Sequence, residues 1–254
     1  MTRAIVRWEA STLSDERRLR ILELVSEQER ARWETEPTEQ RRDGFLVGRM
    51  LLRELSAELC GLPLEAISVR AECPSCGGEH GIPRIDIPGA EAPHASLSRT
   101  VDLVVAAVLP ATAGSSVGVD VETIAGSPER LRAIDELVPR RSGTRRPGLR
   151  RPSAAVSTLR RWTRVEAVLK ADGRGLLVDP AAVTVRRAAG RLTASVAGSA
   201  TNYTVLDRSI TVGGRRRAVV SLAVGRAVAE AGGMAVSDPR VTAEPGVRAR
   251  TARP

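Results

Sequence analysis

The chain has 254 residues, a hydrophobic fraction of 42% and a formal net charge of +9 at pH 7. No run of about 18 apolar residues occurs, so we expect no membrane-spanning helix and no membrane partner. The first 20 residues carry charges throughout and lack the apolar segment of a secretory signal. Three cysteines are too few for a disulfide framework, so we expect a soluble cytoplasmic protein.

The positive charge favours polyanionic partners such as nucleic acid, an anionic cofactor or an acidic protein surface. Much of the surplus is arginine within residues 140–164 and 215–217, so a coding bias toward arginine is an open alternative explanation. Three tryptophans, one tyrosine and one phenylalanine offer few platforms for stacking bases. We therefore do not expect nucleic acid as a partner, and we expect a monomer.

In chain order, the first clear element is a helix over residues 45–59. Apolar positions such as Val47 and Leu51 recur there at helical spacing, and Gly61 is suited to cap the C-terminus. A later run, Asp102–Leu109, is apolar and rich in valine, which predicts a strand. The first half of the chain therefore mixes helix and strand.

The sequence between Cys73 and His80 has the spacing of part of a zinc knuckle. Cys73 and Cys76 are separated by two residues, and His80 follows, so three ligands of a tetrahedral zinc site are available. The fourth ligand would have to be Cys60 or His94. The alternative is a glycine-rich turn with free thiols; any zinc bound here would be structural.

The hexapeptide Val117–Glu122 alternates strictly between valine and other residues. As a strand it would bury the valines and turn Gly118, Asp120 and Glu122 toward its other face. The two carboxylates would then lie roughly 7 Å apart, and Gly118 would let a ligand approach the backbone. A strand with an acidic, solvated face is the alternative.

A second helix is predicted over residues 162–171, after residues 140–158, which are rich in Arg, Pro, Gly and Ser and which we expect to form an exposed loop. Helical spacing places Val165 on a core-facing stripe and Glu166 and Lys170 on an adjacent one. A third carboxylate and an amine thus share one face. An ordinary surface pair at i,i+4 is the alternative.

Together the strand and this helix could supply a magnesium site. Magnesium prefers a few carboxylates together with phosphate oxygens and retained waters. Asp120, Glu122 and Glu166 would form such a partial shell, with Lys170 as a counter-charge for a diphosphate.

The second half of the chain repeats the element order of the first, which predicts an α+β fold of two similar subdomains. The subdomains would span residues 1–113 and 114–230, with the active site in the cleft between them and a disordered tail over residues 231–254. Chance similarity of common helix–strand patterns is the alternative. In both halves the order is helix, glycine, an apolar linker that leads into a strand, and a final strand. These are residues 45–59, Gly61, 62–70 and 102–109 in the first half, and residues 162–171, Gly173 or Gly175, 176–186 and 218–224 in the second.

Two motifs, about 40 residues apart, resemble the hallmark motifs of 4′-phosphopantetheinyl transferases of the surfactin-synthetase-activating type. They are Val-Gly-Val-Asp120-Val-Glu122 and Trp162-Thr-Arg-Val-Glu166-Ala-Val-Leu-Lys170-Ala-Asp-Gly-Arg-Gly-Leu. Weaker resemblances are Phe45-Leu-Val-Gly-Arg49-Met-Leu-Leu-Arg and Ala95-Ser-Leu-Ser98-Arg99-Thr. The resemblance covers roughly residues 26–225, and the family's pseudo-twofold pair of subdomains agrees with the duplication.

The resemblance implies an enzyme that transfers the 4′-phosphopantetheine group of coenzyme A to a serine of an acyl or peptidyl carrier protein. It implies magnesium bound by Asp120, Glu122 and Glu166, with Asp120 and Lys170 also near the diphosphate of coenzyme A. Glu166 is our choice for the base that takes the serine proton, and 3′,5′-ADP would be released.

The other contacts to coenzyme A implied by the resemblance fall in the first half of the chain. Arg49 would meet the adenosine-phosphate end, Ser98 and Arg99 would lie along the phosphates, and Gly81 and Pro83 would line the adenine.

Three positions depart from the family pattern: Arg99 replaces a histidine, Val165 a lysine, and Ile82 the lysine of a Gly-Lys-Pro motif. These departures leave open an alternative function. The chain would then be a non-catalytic homologue that binds coenzyme A or a carrier protein.

Overall fold

The computed structural model describes residues 4–71, 73, 77–78, 81–124, 128–138, 153–188, 190–212, 216–227 and 242–245. Within them the fold is mixed α+β, which confirms the α+β part of the prediction. The chain divides into two compact units, residues 1–113 with 236–254 and residues 114–235, called here the first and second unit. None of the helices in the described ranges has both the length and the hydrophobicity of a membrane span.

Five helices and eleven strands occur among the described residues. Those before residue 114 are β1 (Ile5–Ala10), α1 (Asp15–Leu24), α2 (Glu27–Glu34), α3 (Glu39–Cys60), β2 (Ser68–Arg70), β3 (Arg84–Asp86), β4 (His94–Arg99) and β5 (Leu103–Leu109). Those after it are β6 (Ser116–Thr123), α4 (Pro128–Leu137), α5 (Ala154–Asp172), β7 (Val183–Ala188), β8 (Arg191–Val196), β9 (Thr201–Val212), β10 (Arg216–Ala227) and β11 (Thr242–Pro245).

The two units have the same order of strands. In the first unit β1 lies beside β5, followed by β4, β3 and β2; in the second, β6 lies beside β10, followed by β9, β8 and β7. These neighbours are antiparallel, and each unit's first strand pairs with its fifth. Strand β11 adds to β1 in parallel, so four residues of the segment predicted to be a disordered tail form a strand.

Glycines in the left-handed conformation end the two long helices. Gly61 follows α3 with φ 67°, and Gly173 follows α5 with φ 84°. A side chain is disfavoured at such angles, so both caps agree with the sequence prediction. Helix α5 begins earlier than predicted because Ser153 accepts a hydrogen bond from the Val156 amide. Residues 154–158 are therefore helical, and residues 140–152 of the predicted loop lie outside the described residues.

Each unit buries one long helix on its sheet. In the first unit Leu51 and Leu55 of α3 pack with Val104 of β5, and all three are fully buried. In the second unit Leu169 of α5 packs with Val205 of β9 in the same way. Because burying each such side chain contributes about 1.5–3 kcal/mol, these contacts fix the two helices on their sheets.

Strand β6 is buried on both faces, which differs from the prediction of a face open to ligand. A Cβ atom on Gly118 would lie 1.9 Å from the carbonyl oxygen of Ala167 and 2.5 Å from the amide nitrogen of Ala171. The backbone of α5 therefore fills the space that the sequence interpretation gave to a ligand. Asp120 and Glu122 are correspondingly only 5% and 7% exposed.

Gly118→Ala should destabilise the second unit by about 3 kcal/mol or more, because the added methyl group meets helix backbone that has no rotamer to change. Gly44→Ala is the matched control, since its Cβ would meet only side-chain atoms, at 3.5 and 3.8 Å. Urea unfolding measures both. Equal stability of the two variants would show that α5 does not press on Gly118.

Candidate functional site

A buried ion pair joins β6 to α5. Lys170 Nζ donates hydrogen bonds to Asp120 Oδ1 at 2.7 Å and to the Val119 carbonyl oxygen at 3.1 Å. The Lys170 side chain is 29% exposed and that of Asp120 is 7% exposed. The ammonium group therefore lies at the border between the buried strand and solvent, within reach of Asp120.

Glu122 pairs with Arg130, which lies on α4. Arg130 Nη2 donates to Glu122 Oε1, and the Arg130 side chain is 55% exposed. Burial raises the pKa of Glu122; Arg130 opposes this shift and the charge of Asp120 adds to it. The sequence analysis did not include Arg130. The available signal was an arginine in the first turn of the helix that follows the strand.

Glu166 is the third carboxylate of this cluster. Burial raises its pKa above the ordinary value, Asp120 raises it further, Lys170 opposes the shift, and Glu122 adds a smaller increase. Asp120 and Lys170 therefore lie close enough to Glu122 and Glu166 to shift the pKa values of these two carboxyl groups. Glu166 Oε1 is buried and, within the described ranges, has no hydrogen-bond partner.

The cluster contains the carboxylates that a magnesium site needs, but two of them form ion pairs with cationic side chains. Its three carboxylates outnumber its two cations, and carboxylate oxygens are ligands that magnesium prefers. No group of three or more His, Cys, Asp or Glu side chains in the described part of the chain is placed to hold a metal ion as it stands. To bind a metal ion, Asp120 would have to break its ion pair with Lys170, or Glu122 its ion pair with Arg130.

A chain of hydrogen bonds fixes α5 beside this cluster. Thr163 Oγ1 and Ser221 Oγ are 2.8 Å apart and fully buried, and Ser221 donates to Asp207 Oδ1 at 3.0 Å. Arg164 Nε donates to Asp207 Oδ2 at 2.9 Å. Ser221 lies opposite Asp120 in the β6–β10 register. The turn of α5 that precedes Glu166 is therefore tied to the strand beside Asp120.

In the first unit, Arg49 belongs to an internal ion cluster. Its Nε lies 3.3 Å from Glu29 Oε1, and its guanidinium lies 4.8 Å from the centre of the Phe45 ring. Arg53 donates to both oxygens of Glu29, at 3.0 and 2.6 Å. All three charged side chains are at most 4% exposed. Arg49 therefore contributes to the packing of α2 against α3.

Arg99, in contrast, is 32% exposed and shares a carboxylate with two other arginines. Its Nη2 lies 3.4 Å from Glu36 Oε1, and nitrogens of Arg32 and Arg41 each lie 3.1 Å from Glu36. Glu36 is buried, so three guanidinium groups face a single negative charge and leave a positive cluster. Ser98 is buried one residue before Arg99. The sequence analysis missed Arg32 and Arg41, although they flank Glu36 in sequence.

The remaining predicted residues are only partly described. Gly81 and Pro83 are half-buried in the segment that leads into β3. Cys73 lies in a turn where its amide donates to the Gly78 carbonyl oxygen at 2.8 Å. Cys76 and His80 lie outside the described residues, so the zinc knuckle stays a prediction.

The first unit also contains a cluster that joins its first strand to its long helix. Arg7 on β1 lies 3.4 Å from Glu54 and 2.7 Å from Glu58, both on α3. Glu9 on the same strand pairs with Arg17 on α1. Arg7 is thus the centre of this cluster, because it lies between the carboxylates of Glu54 and Glu58.

The spacing in this cluster repeats that of the second unit. Glu9 and Glu122 each pair with an arginine eight residues later. Glu58 and Lys170 each stand three residues before a left-handed capping glycine. Two corresponding positions have opposite charge: the strand residue is Arg7 in the first unit and Asp120 in the second, and the helix residue is Glu58 in the first and Lys170 in the second.

Neither a scan against protein-family models nor a search of curated proteins found a match to the chain. The functional interpretation consequently depends on the two sequence motifs and on the geometry around them. Both motifs fall in the second unit, on β6 and α5.

The first unit provides a test of pH dependence. Burial and the charge of Glu9 raise the pKa of Glu54 above its ordinary value of 4.5, and Arg7 and Arg17 oppose the shift. Because the Glu54 carboxyl is harder to ionise in the folded protein than in the unfolded chain, its ionisation lowers the free energy of unfolding. The contribution of Glu54 to stability is therefore fully present below pH 4.5 and is lost as the pH rises through its folded-state pKa. Glu54→Gln should therefore be more stable than the parent at pH 7, with the difference vanishing toward pH 4.

Urea unfolding between pH 4 and pH 8 measures this difference. Glu23→Gln, at an exposed position on α1, is the control and should show no such trend. A Glu54→Gln protein less stable than the parent at pH 7 would mean that the ion pair with Arg7 outweighs burial.

Proposed function

We propose that this chain is a magnesium-dependent transferase that moves the 4′-phosphopantetheine group of coenzyme A to a serine of an acyl or peptidyl carrier protein. The observation that carries the proposal is the cluster of Asp120, Glu122 and Glu166 with Lys170, in which Asp120 and Glu122 are buried. Burial and the charge of Asp120 raise the pKa values of Glu122 and Glu166, so these two carboxylates are costly to keep ionised unless a further cation joins them. A phosphate substrate that arrives with magnesium would supply that cation.

Each side chain of the cluster has a distinct role in this proposal. Asp120, Glu122 and Glu166 would hold magnesium, which when bound offsets negative charge on the diphosphate of coenzyme A. Lys170 is partly exposed and hydrogen-bonded to Asp120, so its ammonium group can exchange that carboxylate for a diphosphate oxygen. The positive charge of Lys170 would then stay at the site when the metal takes its place beside Asp120.

The transfer requires a base as well as positive charge. The carrier serine Oγ attacks the phosphorus attached to pantetheine, the bond from that phosphorus to the oxygen of 3′,5′-ADP breaks, and the serine proton must be accepted. Glu166 is suited to accept it, because burial raises its pKa and makes its carboxylate more basic. Its Oε1 has no hydrogen-bond partner within the described ranges, so one oxygen is available for the proton.

For the phosphates of coenzyme A, we favour Arg99 with Arg32 and Arg41. Guanidinium groups bind phosphate through paired hydrogen bonds, and within the described ranges these three share the single carboxylate of Glu36. Arg49 is held by Glu29 inside the first unit, so its predicted contact with coenzyme A would require that ion pair to open. For Gly81, Pro83 and Ser98 we propose the roles that the resemblance implies, with the two former residues lining the adenine and Ser98 along the phosphates.

The proposal includes a duplication with a ligand cleft between the two copies. The common strand order of the two units supports duplication, as does the repeated spacing of charged residues on their first strands and long helices.

A second candidate function is binding of coenzyme A or a carrier protein without catalysis. It is favoured by the existing ion pairs, since Asp120 and Glu122 already have partners in Lys170 and Arg130. Such pairs would neutralise the carboxylates permanently and leave no metal site. The two functions can be told apart by one product, because only the transferase yields a modified carrier protein.

Replacing Asp120 or Glu166 by alanine should lower carrier modification by about 10²–10³, as expected when a group that stabilises transition-state charge is removed. Incubation with coenzyme A, magnesium and an apo carrier protein, followed by mass spectrometry of the carrier, measures the product. Both variants should keep or slightly gain thermal stability in metal-free buffer, because a mutually repelling carboxylate is lost. Glu136→Ala, exposed on α4, is the matched control.

Parental turnover by Asp120→Ala and Glu166→Ala at limiting magnesium would overturn the transferase mechanism. A parent protein that leaves the carrier unmodified, yet is stabilised by coenzyme A through linkage, would instead establish the non-catalytic function.

Arg99→Gln should raise the Michaelis constant for coenzyme A about tenfold with less effect on turnover, because a charged hydrogen bond to phosphate is lost in the ground and transition states alike. The control is Arg20→Gln, which removes an arginine paired on the surface of α1. Initial rates at varied coenzyme A concentration measure both constants. An unchanged Michaelis constant would remove the Glu36 cluster from the coenzyme A site.

A further inference from the structure

A cavity of about 510 Å³ lies in the second unit, at the opposite edge of the sheet from β6. It lies between the middle of α5 and the strands β7 and β8. Its volume falls within the range typical of small-molecule sites, about 300–1,000 Å³. The apolar part of its lining includes Val138, Val165, Pro180, Val183, Val185 and Leu192.

The polar part of the lining carries one sign of charge. Four arginines line the cavity, and none of its described lining residues is acidic. Arg161 and Arg164 are already engaged, by Asp135 and Asp207 respectively. Arg186 and Arg187 on β7 are exposed, and neither forms an ion pair within the described ranges; Arg187 Nη1 donates to the Gly190 carbonyl oxygen at 3.0 Å. Arg187 shares a strand face with Val183 and Val185, whereas Arg186 lines the cavity from the other face of this edge strand. The mouth of the cavity therefore offers two arginines to an anion.

We propose that this cavity binds a linear aliphatic carboxylate, with the hydrocarbon chain between α5 and the sheet and the carboxylate at Arg186 and Arg187. The valines and Leu192 form an apolar interior. Their side chains have no hydrogen-bonding groups, so they suit a ligand that is a plain hydrocarbon chain. The arginines supply the only charge at the mouth among the described lining residues, so the charged end of the ligand must be negative. This site is separate from the Asp120 cluster and does not depend on the transferase function.

The apolar interior sets a dependence on chain length. Each methylene that leaves water for such a surface should raise the affinity about fourfold until the cavity is full. Octanoate, decanoate and dodecanoate should therefore bind with increasing affinity in calorimetric titrations of the full-length protein. The mouth sets a dependence on charge, so decyltrimethylammonium, with the same chain and a positive head, should bind at least tenfold more weakly than decanoate.

Arg186→Gln/Arg187→Gln should lower the affinity for decanoate about tenfold, because charged hydrogen bonds to the carboxylate are lost. The matched control is Arg208→Gln/Arg217→Gln, which removes two exposed arginines of the same sheet that do not line the cavity. It should bind decanoate like the parent. Because all four positions are exposed, these variants should fold, and their melting temperatures verify this.

Val185→Trp places a larger side chain in the cavity and should abolish the increase in affinity with chain length. Equal affinities for octanoate and dodecanoate in the parent protein would overturn the proposal for the apolar interior. Equal affinities for decanoate and decyltrimethylammonium, or equal losses in the two double arginine variants, would overturn the assignment of the carboxylate to Arg186 and Arg187.

Discussion

The contact between α5 and Gly118 determines where the charged groups of the second unit lie. Since Gly118 has no side chain, the backbone of the helix lies directly on strand β6. One turn of helix and two residues of strand then bring Lys170 to Asp120. Any residue other than glycine would lift the helix and separate these groups. Backbone packing, rather than attraction between the charges, is therefore the primary cause of the cluster.

Burial on both faces of β6 has an electrostatic cost that the chain offsets only in part. The carboxylates of Glu122 and Glu166 lose water, and their pKa values rise. Lys170 and Arg130 come from helices on which they remain partly exposed, so each can leave its carboxylate without becoming buried and unpaired. The cluster is thus held together by partners that can be exchanged. A rigid, fully compensated network would resist any ligand.

The sequence predicts the local elements of the site but not the partners across the fold. Strict alternation places Asp120 and Glu122 on one face, and helical spacing places Glu166 with Lys170, because both periods are properties of a single element. The nearness of Glu166 to Asp120 follows from neither period; it was inferred from the ligands that magnesium prefers and from a family resemblance. Arg130 was missed because ion pairs between elements leave no periodic signal. The same limit explains Arg49, whose position on α3 was predicted but whose partner Glu29 lies on another helix.

The repeated strand order allows the chain to be compared with itself. The first unit carries Arg7 on its strand and Glu58 on its helix, where the second carries Asp120 and Lys170, so the two signs are exchanged between strand and helix. Each cluster keeps three carboxylates and two cations, so this exchange leaves the local net charge unchanged. It does move a carboxylate from the helix position of Glu58, where the side chain is 49% exposed, to the strand position of Asp120, where it is 7% exposed. Reversing the direction of one ion pair thus changes how much water a carboxylate retains without changing the charge of its surroundings.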